Sequence, residues 1–533
     1  MSKNSMRSAT KKAGTPVTPA PAKRKAFTLP QIPYRWVHVL AVLLIYFCCT
    51  WMYGDVFQRA QQDCYVSANS EYMTYVMRLP LGDFYWAMRF LMLVFKNVWL
   101  GGAVMTVLLV GSACCLSRAI GLTRQWKLLS FLLPLSVLGY FVWRGVRVFY
   151  LDEPSLVMGV PFVIFVLTAL AALVATFVRK KKEAVKQQYA HWASISVFAL
   201  AGLSLVGSTY VYRENDIVIS RMQNRMLEAD WGGMAEDALG VDRGSRPVAA
   251  YYAISLVQQN LLLEELFNYA FDYPQDGINL VDKGQTEAGL YEADCNFYAG
   301  LVNSAYRSAM DRHVMMGPSI YTFKRMMLCA ILNGEKELAK RYQKALEAVP
   351  FEGDFVARYA PMIDNPELVA QDAELSKVLL LAPRESGFEQ RYRRPVFLGY
   401  NVGLTIGSDQ TLITSIASTL YSKDLLRFVN MAAVLRQKTG GRLPAIVRQA
   451  ILIYSMTHDE VKQAFPEVCN DQVLAGSFQA FVNAARPYLK DKAELRKQMK
   501  DQWLGTYFYY YYCENNEPYQ VRKADNSSAG SVN

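Results

Sequence analysis

Residues 192–212 read WASISVFALAGLSLVGSTYVY, and residues 213–227 continue RENDIVISRMQNRML. The first piece carries no charge over 21 residues, which is the length a helix needs to cross a hydrocarbon core roughly 30 Å thick. In the second, Ile217, Ile219, Met222, Met226 and Leu227 recur at helical spacing among charges, as on a helix with one face in water. The solvent of the chain therefore changes near Tyr212.

Upstream, four further apolar stretches approach the same specification, so five spans are expected at about 36–53, 97–116, 126–143, 155–178 and 192–212, a transmembrane domain over 34–212. The second is preceded by 81–96, an aromatic stretch in which Arg89 and Lys96 are seven apart and share one helix face. It reads as an interfacial helix leading into the span. The alternative is one long tilted helix with a buried Arg that needs a partner.

The whole chain has 533 residues, 52% of them hydrophobic, and a net charge of +11. That charge is not evenly spread. Residues 1–212 hold 22 Lys+Arg against 7 Asp+Glu, which leaves 35 against 39 in 213–533. The alkaline pI is a property of membrane flanks, and nucleic acid is not expected as a partner. Lys and Arg concentrate in the N-terminal tail, in 118–127 and in 179–186, sixteen in all, whereas 54–96 and 144–154 balance six bases with six acids. Because short cytoplasmic loops carry the positive excess, the N-terminus is expected in the cytoplasm and everything after Tyr212 outside it. The first span offers no small-residue cleavage site around Phe47-Cys48-Cys49-Thr50-Trp51 and is expected to stay as an anchor. Residues 1–33, basic and rich in Ser, Thr and Pro, and the polar 514–533 are expected to be disordered tails.

The fold class is thus all-α: a five-span bundle, then a helical domain over 213–513. Breakers such as Gly232-Gly233, Gly317-Pro318, Asn333-Gly334 and Gly440-Gly441 cut the latter into pieces of one helix or a helix pair. One stretch resembles the tetratricopeptide repeat. Thr322–Leu332 forms a first helix, 333–335 a turn, and 336–348 a second, with Tyr342, Ala345, Leu346 and Pro350 at the repeat's aromatic, small, apolar and terminating positions. Leu338 stands where a small residue is expected, and the first helix lacks the pattern's Trp and Gly. Trp231–Leu239 with 246–262 is a more degenerate pair. The alternatives are a repeat-like α-solenoid and an irregular helical domain.

Chemistry is hard to find in this composition. His38, His191, His313 and His458 are scattered, no metal-binding spacing occurs, and no metal or cofactor is expected. Nine cysteines show no framework; Cys469 with Cys513 is one conceivable disulfide, and buried free thiols are the other reading. In 54–96, Asp55, Asp83 and Arg89 form the best catalytic candidates. A carboxylate at the mouth of the first span, followed by an interfacial helix, resembles the first outer loop of integral-membrane glycosyltransferases that use lipid-phosphate sugars. That resemblance implies an acidic base or metal ligand beside a lipid-linked phosphate. Trp503, Tyr507 and Tyr510, within an aromatic run, are candidates for stacking a sugar or peptide, against the alternative of a closing helix buried on the domain.

Residues 61–122, with Tyr75, Leu79-Pro80-Leu81-Gly82, Arg89-Phe90 and Trp99-Leu100-Gly101-Gly102, and the closing Gly505-Thr506-Tyr507-Phe508-Tyr509-Tyr510 are together similar to an uncharacterised family of membrane proteins of unknown function found in Bacteroidota. The resemblance implies a Gram-negative inner membrane and a periplasmic C-terminal domain, and no activity. The expectation is a membrane protein whose partners are the lipid bilayer and a protein or peptide held on the helical domain.

Overall fold

The computed structural model describes residues 34–67, 71–144, 153–178, 190–241, 244–271, 292–382 and 408–514. The 1–33 tail, the basic 179–186 loop and all but Glu514 of the 514–533 tail lie outside the described residues. Every regular element among those described is a helix. In the membrane half the longer ones are α1 Tyr34–Phe47, α2 Gly54–Gln62, α3 Gly82–Met92, α4 Val98–Ile120, α5 Leu132–Arg144, α6 Leu156–Val178 and α7 Ala190–Leu227.

Among the described residues, five helices are long and apolar enough to cross a membrane: Arg35–Met52, Val98–Ile120, Lys127–Arg144, Leu156–Val178 and Trp192–Leu227. The fifth helix also joins the apolar run to the amphipathic stretch after it. It runs unbroken through Tyr212 to Leu227, 38 residues in all, or roughly 57 Å at 1.5 Å per residue. Arg213, the first charge after the run, donates to the carbonyls of Val142 (2.6 Å) and Trp143 (3.1 Å). It satisfies the orphan C-terminal end of α5 while its own helix continues.

The bundle sorts its helix ends into two groups. At one end the ring of His38 meets Phe131, Phe131 meets Phe198, and Ser194 donates to the Gln125 carbonyl. At the other, Tyr53 bonds Thr209, and Phe57 packs on Phe95 and Phe141. This is the pairing that alternate crossings require. The stretch before the second span breaks at Asn97, whose side chain caps α4 by accepting from the Leu100 N–H. Close approach there depends on the Gly101-Gly102 pair: a Cβ on Gly102 would lie 2.3 Å from Thr50 Cγ2, and one on Gly101 2.3 Å from Phe95.

The second half stacks antiparallel helices: α8 Trp231–Leu239 on α9 Arg246–Gln259, then α10 Glu292–Tyr298, α11 Val302–Met316, α12 Ile320–Leu332 and α13 Lys336–Glu347, each against the next, and later α14 Asp409–Tyr421 on α15 Leu425–Lys438. Ser319 caps α12, and Gly334, at φ 72°, makes the turn into α13. All residues of α12 from Ile320 to Ile331 are buried, so it is the central rod of the domain. The last helix, α16 Tyr507–Cys513, covers α14: Tyr507 donates to the Leu420 carbonyl (3.1 Å) and Tyr510 to that of Tyr421.

Candidate functional site

Helix α2 lies along α7 and carries the 54–96 segment into the helical half. Its face is polar. Arg59, wholly buried, pairs with Asp63 one turn on (3.7 Å) and stacks 4.1 Å from the Tyr321 ring centroid. Asp63 also takes Arg312 of α11 at 2.9 Å. Next to these, Tyr65 donates to the Ala345 carbonyl (3.0 Å), and Arg89 of α3 donates to the Pro318 carbonyl (3.3 Å). The 54–96 segment, expected to carry an interfacial helix and the catalytic candidates, is thus the seam between the two halves, with ion pairs as well as apolar contacts across it.

Beside the seam opens a cleft of about 300 Å³. Its floor is the pair Lys324-Arg325, in the middle of the buried rod α12. Lys324 donates to Glu352 (2.6 Å) and to Gln62 of α2 (3.1 Å), and Lys96 from the end of the 54–96 segment reaches the same Glu352 at 3.1 Å. Burial alone would raise the Glu352 pKa, but Lys324 and Lys96 outweigh it and hold the carboxyl below the usual glutamate range. Arg325 donates to the buried Asp294 (2.6 Å), and its guanidinium carbon lies 4.1 Å from the Phe297 ring centroid and 5.3 Å from that of Tyr298.

Tyr298, Tyr321 and Tyr359 form part of the walls and donate hydrogen bonds to buried carboxylates, one of which is shared with Tyr251 behind them. Tyr321 and Tyr251 donate to Asp294 (2.6 and 2.8 Å), and Tyr298 and Tyr359 donate to Glu374 (2.7 and 3.0 Å). Burial, and after it the adjacent carboxylates, push the Tyr298 and Tyr321 hydroxyls far above the ordinary tyrosine range, so they remain donors at any working pH. At the mouth stand Lys96, Arg358 and Phe351. The last is 69% exposed and has φ 68°, in the left-handed region.

The residues expected from sequence lie elsewhere. Asp55 pairs with Arg221 of α7 (2.8 Å). Arg89 is bound by both its Nε and Nη2 to Glu153 (2.6 and 2.8 Å), and Asp83 is exposed in the first turn of α3. None of the three lines the cleft. Trp503, Tyr507 and Tyr510 are buried, Trp503 edge-on to Phe481. They offer no ring face to an outside ligand, because α16 and the helix before it need those rings to cover the domain's end. Cys469 and Cys513 do not pair; all nine cysteines are free thiols. The sequence reading missed Lys324, Arg325, Glu352 and Glu374. Their signal was available in IYTFKRMMLCAIL, where two adjacent cations interrupt an apolar run.

A protein-family model matches residues 138–514, and its description is a family of unknown function (DUF6057). The match takes in the end of the third span, the last two spans, the helical half and the closing Gly505–Tyr510 motif, while the 61–122 segment precedes it. No curated protein matches the chain, and no solved structure does.

Proposed function

Because the chain belongs to the DUF6057 family of unknown function, which supplies no activity as a starting point, we propose from the geometry that it is a multi-pass membrane-anchored binding protein. Its junction cleft receives a protein or peptide partner. The observation that carries this reading is the joint construction of the cleft. Gln62 and Lys96 come from the membrane half, and Lys324, Arg325 and Glu352 from the helical half. An occupant touches both, so its binding is coupled to how the domain sits on the bundle.

The membrane in this reading is a bacterial inner membrane, with the N-terminus in the cytoplasm and the helical half in the periplasm as a tetratricopeptide-like solenoid. Charge alternation among the loops supports the orientation, and the contacts of 54–96 with the domain agree with it, since both must lie on one side. The α12–α13 pair supports the repeat-like reading. The enzyme alternative at Asp55, Asp83 and Arg89 gains nothing, because two of the three are tied into separate ion pairs.

A photoreactive amino acid placed at Phe351 of the full chain in native membranes tests the binding role. A control carries it at Leu489, which is equally exposed on the domain. The expected result is a peptide or protein adduct from position 351 and none from 489. Lipid adducts alone, or equal labelling at both positions, would contradict the proposal.

A further inference from the structure

The occupant's chemistry can be read from the hydrogen bonds the cleft has already made. Its two deepest carboxylates are saturated: Glu352 accepts from Lys324, Lys96 and Gln62, and Glu374 from Tyr298, Tyr359 and Arg358. The donors are not. Arg325 is buried and gives one nitrogen to Asp294, while its Nε and Nη1 have no acceptor among the described protein groups. Buried N–H groups without an acceptor are costly, so the deep end of the cleft favours an acceptor of negative charge.

The remainder of the lining decides what carries that acceptor. The cations Lys96, Lys324, Arg325 and Arg358 are matched in number by four carboxylates, of which Glu228 and Asp354 form no ion pair among the described residues. A phosphate dianion would face those carboxylates across a small space. A peptide segment brings one carboxylate together with N–H groups that suit Glu228, Asp354 and the buried, unpartnered Asn224 Oδ1. About 300 Å³ is at the small end of ligand pockets, roughly 300–1,000 Å³, which fits a few residues of extended chain and excludes a folded surface.

Phe351 supplies an independent observation. A bulky side chain at φ 68° is a backbone outlier, and this one holds its ring in solvent at the cleft mouth. Such strain at a ligand's doorway points to use. Resting on the binding role above, we propose that the cleft recognises a carboxylate-bearing peptide segment. The carboxylate is taken at the Lys324-Arg325 floor, and an apolar neighbour of it lies against the Phe351 ring.

The test uses the full chain purified in detergent micelles and three probes: a random hexapeptide pool with free C-termini, the same pool amidated and lacking Asp and Glu, and inorganic phosphate as competitor. Peptides from the first pool should be retained, the amidated pool lacking Asp and Glu should be retained about tenfold less, and phosphate should not displace the bound peptides. Phe351→Gly should cut retention about tenfold without lowering the melting temperature, since glycine is at ease at that φ. Retention of both pools alike, displacement by phosphate, or unchanged binding by Phe351→Gly would overturn the inference while leaving a binding role in place. Failure of the wild type to retain peptide from either pool would overturn the binding role as well.

Discussion

Lys324 and Arg325 sit side by side in a helix whose every other residue from Ile320 to Ile331 is also buried, and each is tolerable only because a carboxylate reaches it. Removing one partner of such a pair costs far more than the pair contributes, because the remaining charge is left buried. Glu352→Gln leaves the buried Lys324 without its carboxylate, and a loss on the order of 3 kcal/mol is expected. The pH dependence has a definite sign. The folded-state pKa of Glu352 is depressed, so its contribution is complete above the ordinary glutamate value of about 4.3 and is lost as pH falls through its own lower value. Melting curves at pH 7 and at about pH 2, below both values, should show wild type losing more stability on acidification than Glu352→Gln does. Equal losses would mean that Glu352 is not the group that matters.

At the scale of elements, much was legible and the reason is local. Apolar runs set the spans: 155–178 was expected, and α6 is Leu156–Val178. Turn chemistry at Asn333-Gly334 set the α12–α13 pair to within two residues at each end. That 192–212 and 213–227 form one unbroken helix was not legible, because spacing does not show that Arg213 caps the α5 carbonyls while its own helix continues. Nor does a sequence reveal why Trp99-Leu100-Gly101-Gly102 contains two glycines; the answer is Thr50 and Phe95 of a different segment. Gly102→Ala should place a methyl against Thr50 Cγ2 and destabilise by about 1–3 kcal/mol. Thr50→Ser in the same chain removes that methyl while keeping the hydroxyl bond to Tyr46 (2.8 Å), and thermal unfolding should return most of the loss. A double variant no better than Gly102→Ala alone would refute this packing account.

The whole molecule is organised by pairings that leave no trace in spacing. Asp63 meets Arg312, Lys96 meets Glu352 and Arg89 meets the Pro318 carbonyl, each across more than 200 residues. Asp55, Asp83 and Arg89 drew attention because they are charges beside a span, but charge near a membrane is common and convergence is what marks a site. Convergence occurs one helix further in, at the cleft. These pairings also bind topology to function, since the 54–96 segment and the domain can only form the cleft from the same side of the membrane. The most direct test is a pair of sided reporters, a phosphatase active only outside the cytoplasm and a fluorescent protein that matures only within it. Each is fused after Gly121, at the opposite end of the bundle, and after Asn533 of the full chain. Fluorescence without phosphatase activity is expected at Gly121 and the reverse at Asn533. Fluorescence at Asn533, or the same reading at both positions, would contradict this topology.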